Sequence, residues 1–128
     1  MARLLLDTHA VLGMIDPINF ALPRAFAEKL DGNHELFASS ISLWEIAIKN
    51  RLGKLPLAIP LVEWPSALTD AEIGLLDLSV EHILAELEPL PSTKDPFDRL
   101  LLAIAHFERL EFVTIDRALI DHPLAWRP

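Results

Sequence analysis

The sequence predicts an α/β fold: one domain with a mostly parallel central sheet and helices on both faces. Three observations point there. First, the short apolar runs in "RLLLD", "ELFAS" and "EFVTID" are separated by stretches with helical spacing. Continuous rather than alternating apolar character marks strands covered on both sides, as in parallel sheets. Second, 128 residues lie near the commonest domain size, which leaves room for a single core, residues 1–128 forming one unit. Third, 52% of the residues are hydrophobic and only four are glycine, a composition that fills a core and leaves little for disordered tails.

The elements follow in order. Arg3 to Leu6 reads as a buried strand ending at Asp7. "THAVLGMI" then has helical spacing through Val11, Leu12 and Ile15, and "LPRAFAEKLDG" gives a second helix with Pro23 near its first turn and Gly32 closing it. "ELFAS" is the next strand, and "SISLWEIAIKNRLGK" the helix after it, ended by Gly53. Pro60 and Pro65 break the following stretch into helical pieces, with a short strand expected at Leu75 to Leu78 and a short amphipathic helix over "VEHILAELEPLP". The strongest helix signal is "DPFDRLLLAIAHFE": Asp95 caps, Pro96 suits the first helical position, and Asp98 falls in the first turn. "EFVTID" closes the pattern as a strand running to Asp116, followed by a short helix and a proline-containing tail.

Cysteine is absent, which excludes disulfide frameworks, thiolate zinc sites and thiol nucleophiles and fits a cytoplasmic protein. The N-terminal apolar run is interrupted by Asp7, and no stretch has the ~18 apolar residues of a membrane span, so no membrane association is expected. A net charge of -8 argues against an indiscriminate nucleic-acid coat. It suits a cluster of carboxylates that binds hard cations, because a bound cation reverses the local field met by a phosphate.

Asp7 and Asp116 each end an expected strand, and Glu45 and Asp98 lie near the starts of helices. In parallel sheets, sites form beyond the carboxyl ends of the strands, so all four acids are expected to meet at one sheet edge. Converging carboxylates repel one another unless a cation neutralises them or one takes up a proton, and an all-oxygen ligand set favours Mg²⁺ or Mn²⁺, ions that assist phosphodiester hydrolysis. Simpler uses exist for each acid: Asp7 as a helix cap, Glu45 as partner of Ser42 in an "SLWE" capping box, Asp98 as a complement to the helix dipole. Thr8, Ser39, Ser40 and Thr114 neighbour the acids and are candidates for supporting hydrogen bonds, while Lys49, Arg51, Lys54 and Arg99 are candidates for phosphate contacts. The histidines, His9 among them, show no zinc-type spacing and read as surface or core residues; Trp44, Trp64 and Trp126 are of a type that can stack bases, but tryptophan beside apolar helix residues is more often core, and Trp44 reads as packing. A phosphatase of the aspartyl-phosphate type needs an Asp where His9 stands, and no Gly-rich phosphate loop follows the first strand.

In order and spacing, "LLLDTHAVL", "SSISLWEIAIKNRLGKL", "DPFDRLLLAIA" and "FVTID" resemble the four motifs of PIN-domain ribonucleases, and most closely the VapC-type toxins of bacterial toxin–antitoxin pairs. The resemblance implies a PIN-like fold with a metal site formed by Asp7, Glu45, Asp98 and Asp116, Mg²⁺ or Mn²⁺ as cofactor, and single-stranded or looped RNA as substrate. It further implies a homodimer and a small antitoxin partner. The expected activity is metal-dependent endoribonuclease action by a toxin; the alternative is a catalytically silent PIN-like scaffold that binds RNA or a protein.

Overall fold

The computed structural model describes residues 1–87, 94–116 and 119–126. Four strands, β1 (Arg3–Leu6), β2 (Glu35–Ser39), β3 (Ile73–Leu76) and β4 (Glu111–Val113), form one sheet in the order β3-β2-β1-β4. Every pairing among them is parallel, with Leu5 opposite both Phe37 and Phe112. Among the described residues, six helices surround the sheet: α1 (Thr8–Ile15), α2 (Arg24–Leu30), α3 (Ser40–Arg51), α4 (Trp64–Asp70), α5 (Val80–Leu84) and α6 (Pro96–Glu108). A 3₁₀ turn at Leu61–Glu63 leads into α4.

The two-residue period of a strand explains why there are two cores. Leu4, Leu6, Leu36, Ala38 and Val113 face one side, where Ala10 and Val11 of α1, Ile46 of α3, and Trp64 and Leu68 of α4 cover them. Leu5 and Phe112 face the other, under Leu101, Leu102, Ile104 and Ala105 of α6. The unbroken Leu4-Leu5-Leu6 run is therefore required: each residue is completely buried, on alternating faces. Burial of one such side chain contributes about 1.5–3 kcal/mol.

The chain runs from β1 outward through β2 to β3, then returns across the sheet to place β4 on the other side of β1. This opens a crevice at the carboxyl ends of β1 and β4, the usual location of sites in such sheets. Asp7 extends that seam, its amide donating to the Val113 carbonyl at 2.9 Å.

Several expectations shift. The third strand lies at Ile73–Leu76 rather than Leu75 to Leu78, because parallel pairing sets Leu36 against Ile73 and Ser39 against Leu76. The fourth strand stops at Val113; Thr114 accepts a hydrogen bond from the Asp116 amide and turns the chain three residues early. The helix expected over "VEHILAELEPLP" ends at Leu84, and its last residues, from 88 on, lie outside the described residues. Of the short helix expected after Asp116, residues 117–118 lie outside the described residues, and 119–124 form turns and a bend. His82 replaces the usual Glu or Gln in a capping box with Ser79, and its Nε2 lies 2.9 Å from Glu108 Oε1, tying α5 to α6. Asp95 caps α6 as expected, accepting from the Phe97 amide at 2.8 Å and the Asp98 amide at 3.2 Å. Among the described residues, no helix is long and apolar enough to cross a membrane.

Candidate active site

Asp7, Glu45, Asp98 and Asp116 all line one cleft of about 390 Å³, together with Thr8, His9, Lys49, Asp95 and Ile115. It lies at the carboxyl end of β1 beside the chain leaving β4. Each acid arrives from a different element: Asp7 from the end of β1, Glu45 from the second turn of α3, Asp98 from the first turn of α6 and Asp116 from the segment after β4.

Asp7 does serve as a cap. Its Oδ1 accepts from the Ala10 amide at 2.6 Å, which fixes the carboxyl relative to α1 and leaves its charge in a nearly dry setting. Burial raises its pKa above the ordinary carboxylate value, with Asp116 adding to the rise, against the hydrogen bonds from Thr114 and Ala10 and the charge of His9.

The capping-box explanation of Glu45 fails. The residue that caps α3 is Ser39, whose Oγ accepts from the Ile41 amide at 3.1 Å, and Ser42 is already inside the helix. Glu45 is instead buried at 7% exposure, and both of its oxygens are held. Thr8 donates to Oε1 at 2.7 Å, Lys49 contacts Oε2 at 2.6 Å, and Ser42 Oγ lies 3.0 Å from the same Thr8 hydroxyl. A buried carboxylate needs such partners to remain charged.

Asp98 carries the clearest electrostatic signature. Burial and the charges of Asp95, Asp116, Glu45 and Asp7, in that order of size, push its pKa up to about 6. Among the described residues, no three carboxylates or imidazoles form a ready-made cation cage, so the group is an open cleft rather than a closed site. Its chemistry nevertheless fits a hard divalent cation: the donors are oxygens, and burial, with neighbouring carboxylates adding to it, raises the pKa of both Asp7 and Asp98, a cost that a bound cation would offset.

Residues 4–123 match the PIN domain family. The chain belongs to the PIN-domain family. Ribonuclease VapC22 of Mycobacterium tuberculosis is 30% identical over 127 residues, covering 95% of this chain and 93% of that protein. Among solved structures, a toxin–antitoxin complex from Klebsiella pneumoniae superposes with a TM-score of 0.63 at 17% identity, covering 99% of this chain and 97% of its counterpart. VapBC2 from Rickettsia felis, bound to a DNA fragment from their promoter, superposes with a TM-score of 0.62 at 19% identity, covering 96% and 95%. At those identities the two structures support the fold alone.

In this PIN domain the supporting residues divide. Thr8 and Thr114 contact the acids, whereas Ser39 caps α3 and Ser40 accepts from the Leu78 amide at 3.0 Å. Of the four basic candidates, Lys49 lines the cleft; Arg51, Lys54 and Arg99 are exposed outside its lining. Three participants were not read from sequence as site residues. Asp95 was legible only as a cap, yet it faces the cleft and raises Asp98; Ser42 braces Thr8; and His9, two residues after Asp7, enters from the first turn of α1. The signal for His9 and Asp95 was adjacency, since residues two or three from a site acid in a first helical turn share its surroundings.

Proposed function

We propose that this PIN domain is an endoribonuclease, the toxin of a toxin–antitoxin pair, that hydrolyses RNA phosphodiester bonds with Mg²⁺ or Mn²⁺. The observation that carries the chemistry is the convergence of five carboxyl groups on one cleft, where burial first and then the neighbouring carboxylates push the Asp98 pKa up to about 6. Asp7, Asp98 and Asp116 would hold the cation, with Glu45 at its border. A bound divalent ion supplies positive charge that acidifies water and offsets the charge building on a phosphodiester in displacement. The chain's own groups supply position. The Ala10 amide and Thr114 fix the Asp7 carboxyl, and Thr8 and Lys49 fix Glu45. Lys49, half-exposed at the cleft wall, meets the scissile phosphate, and Arg51, Lys54 and Arg99 meet flanking phosphates. Its similarity to Ribonuclease VapC22 supports the activity, and a small antitoxin partner is included because the two structures that share its fold are of toxin–antitoxin proteins. A cytoplasmic homodimer completes the reading.

The test is incubation of purified protein with total RNA and Mn²⁺ or Mg²⁺, with and without chelator, beside Asp7→Asn and Asp98→Asn. Chelator-sensitive cleavage lost in both variants is expected. Cleavage that persists in chelator, or in both variants, overturns the proposal, and RNA binding without cleavage indicates the silent scaffold instead.

A further inference from the structure

Trp44 was expected to pack and does not. At 57% exposure it belongs to neither core, while Trp64 is buried at 1% and fulfils that role. Its one aromatic neighbour among the described residues is Phe97, with ring centroids 5.7 Å apart and planes tilted by 56°. The pair bridges α3 and α6 immediately before two cleft acids in sequence, Trp44 preceding Glu45 and Phe97 preceding Asp98. Phe97 is partly buried against the α6 core, so it supports the indole from behind and leaves it open to solvent.

We propose that Trp44, backed by Phe97, stacks an unpaired nucleobase of the RNA whose phosphodiester lies in the acidic cleft. This rests on the ribonuclease reading and adds the nature of the neighbouring subsite. The charge balance favours it. A chain of net charge -8, with Lys49 the one Lys or Arg among the described residues lining the cleft, has too few positive charges at the site to hold RNA by its phosphates alone. Base stacking is independent of that charge, because every base presents a π-face to an aromatic platform. It also selects for single-stranded or looped RNA, since a base paired within a helix cannot lie on a protein ring.

Cleavage of a short single-stranded RNA with Mn²⁺ is measured for wild type, Trp44→Ala, Trp44→Phe and Phe97→Leu. A second substrate is identical but abasic at the nucleotide beside the cleaved bond. Trp44→Ala is expected to raise KM by about 5- to 150-fold, the value of one base–aromatic stack, with kcat changed far less. Trp44→Phe should recover most of the loss and Phe97→Leu show a smaller one. Wild type should disfavour the abasic substrate, and Trp44→Ala should treat both substrates alike. Far-UV circular dichroism and the melting temperature confirm folding, and an exposed residue leaves both nearly unchanged. If wild type cleaves RNA but Trp44→Ala keeps its KM and its preference for the intact substrate, the platform is overturned and this face is left to a protein partner. If wild type cleaves no RNA, the ribonuclease reading fails first.

Discussion

Replacing Asp98 by Asn is expected to stabilise the chelator-treated protein at neutral pH while abolishing cleavage. The folded-state carboxyl is pushed from 3.8 to about 6 by burial and by Asp95, Asp116, Glu45 and Asp7. A folded pKa raised above the unfolded one means that the native state binds more protons between those two values. Stability is then lost as pH rises from about 4 to about 6, and the penalty is complete above that window. Two units correspond to about 3 kcal/mol, but Asp98 is only half-buried, and solvent screening reduces this to about 1 kcal/mol. In a domain of this size, that shifts the melting temperature by roughly 3–4 °C. The assay is thermal unfolding in chelator at pH 4 and pH 7.5. Asp98→Asn should melt above wild type at pH 7.5 and level with it at pH 4. Mn²⁺ should raise the wild-type melting temperature at pH 7.5 and leave the variant almost unmoved. A variant no more stable than wild type at pH 7.5, or equally stabilised at both pH values, would refute the reasoning that the cleft concentrates uncancelled negative charge.

Other substitutions separate local roles. Asp7→Asn keeps an acceptor for the Ala10 amide and removes a carboxylate whose pKa burial raises, so at neutral pH it should fold with at least wild-type stability and lose cleavage at least about 100-fold, whereas Asp7→Ala should lose the cap, worth about 1 kcal/mol by denaturant unfolding. Thr8→Val removes the hydroxyl that holds buried Glu45 and should destabilise by about 1–3 kcal/mol in the same assay; an unchanged midpoint would contradict that role. Gly13 lies inside α1, where alanine is normally favoured by about 1 kcal/mol, but a Cβ there meets the Leu22 side chain and comes within 2.9 Å of the Phe20 carbonyl, so Gly13→Ala should lower the melting temperature. Arg109 ends α6 in the left-handed region at φ 57°, and Arg109→Gly should raise stability by about 0.5–1 kcal/mol.

What the sequence revealed depended on how local each signal was. The Leu4–Leu6 run and the Asp95–Pro96 start of α6 are specified by neighbouring residues, and both elements lie where those residues put them. The position of β3 is set by pairing with β2, some 37 residues earlier, which no local pattern encodes; the expectation was off by two residues. α5 is short because its cap is a Ser79–His82 pair and its chain turns extended at Ala85, where apolar spacing alone suggested continuation. The acids were legible as a group because strand ends and helix starts share one edge of a parallel sheet. The capping role proposed for Ser42 failed because Ser39, one turn earlier, was equally suited to cap and ends β2. Trp44 was misplaced because neighbouring apolar residues on α3 do not reveal which face another helix covers. Ile41 and Ile46 took the two cores and left the indole outside.

The most direct test of the central claim is the rate of RNA cleavage as Mn²⁺ is added to chelator-stripped protein, for wild type, Asp7→Asn and Asp98→Asn in parallel. The rate should be zero without the ion, rise to a plateau in wild type, and stay at background in both folded variants. Cleavage at zero Mn²⁺, or variants that reach the wild-type plateau, would contradict the account of the cleft as the site where a cation and these carboxylates act together.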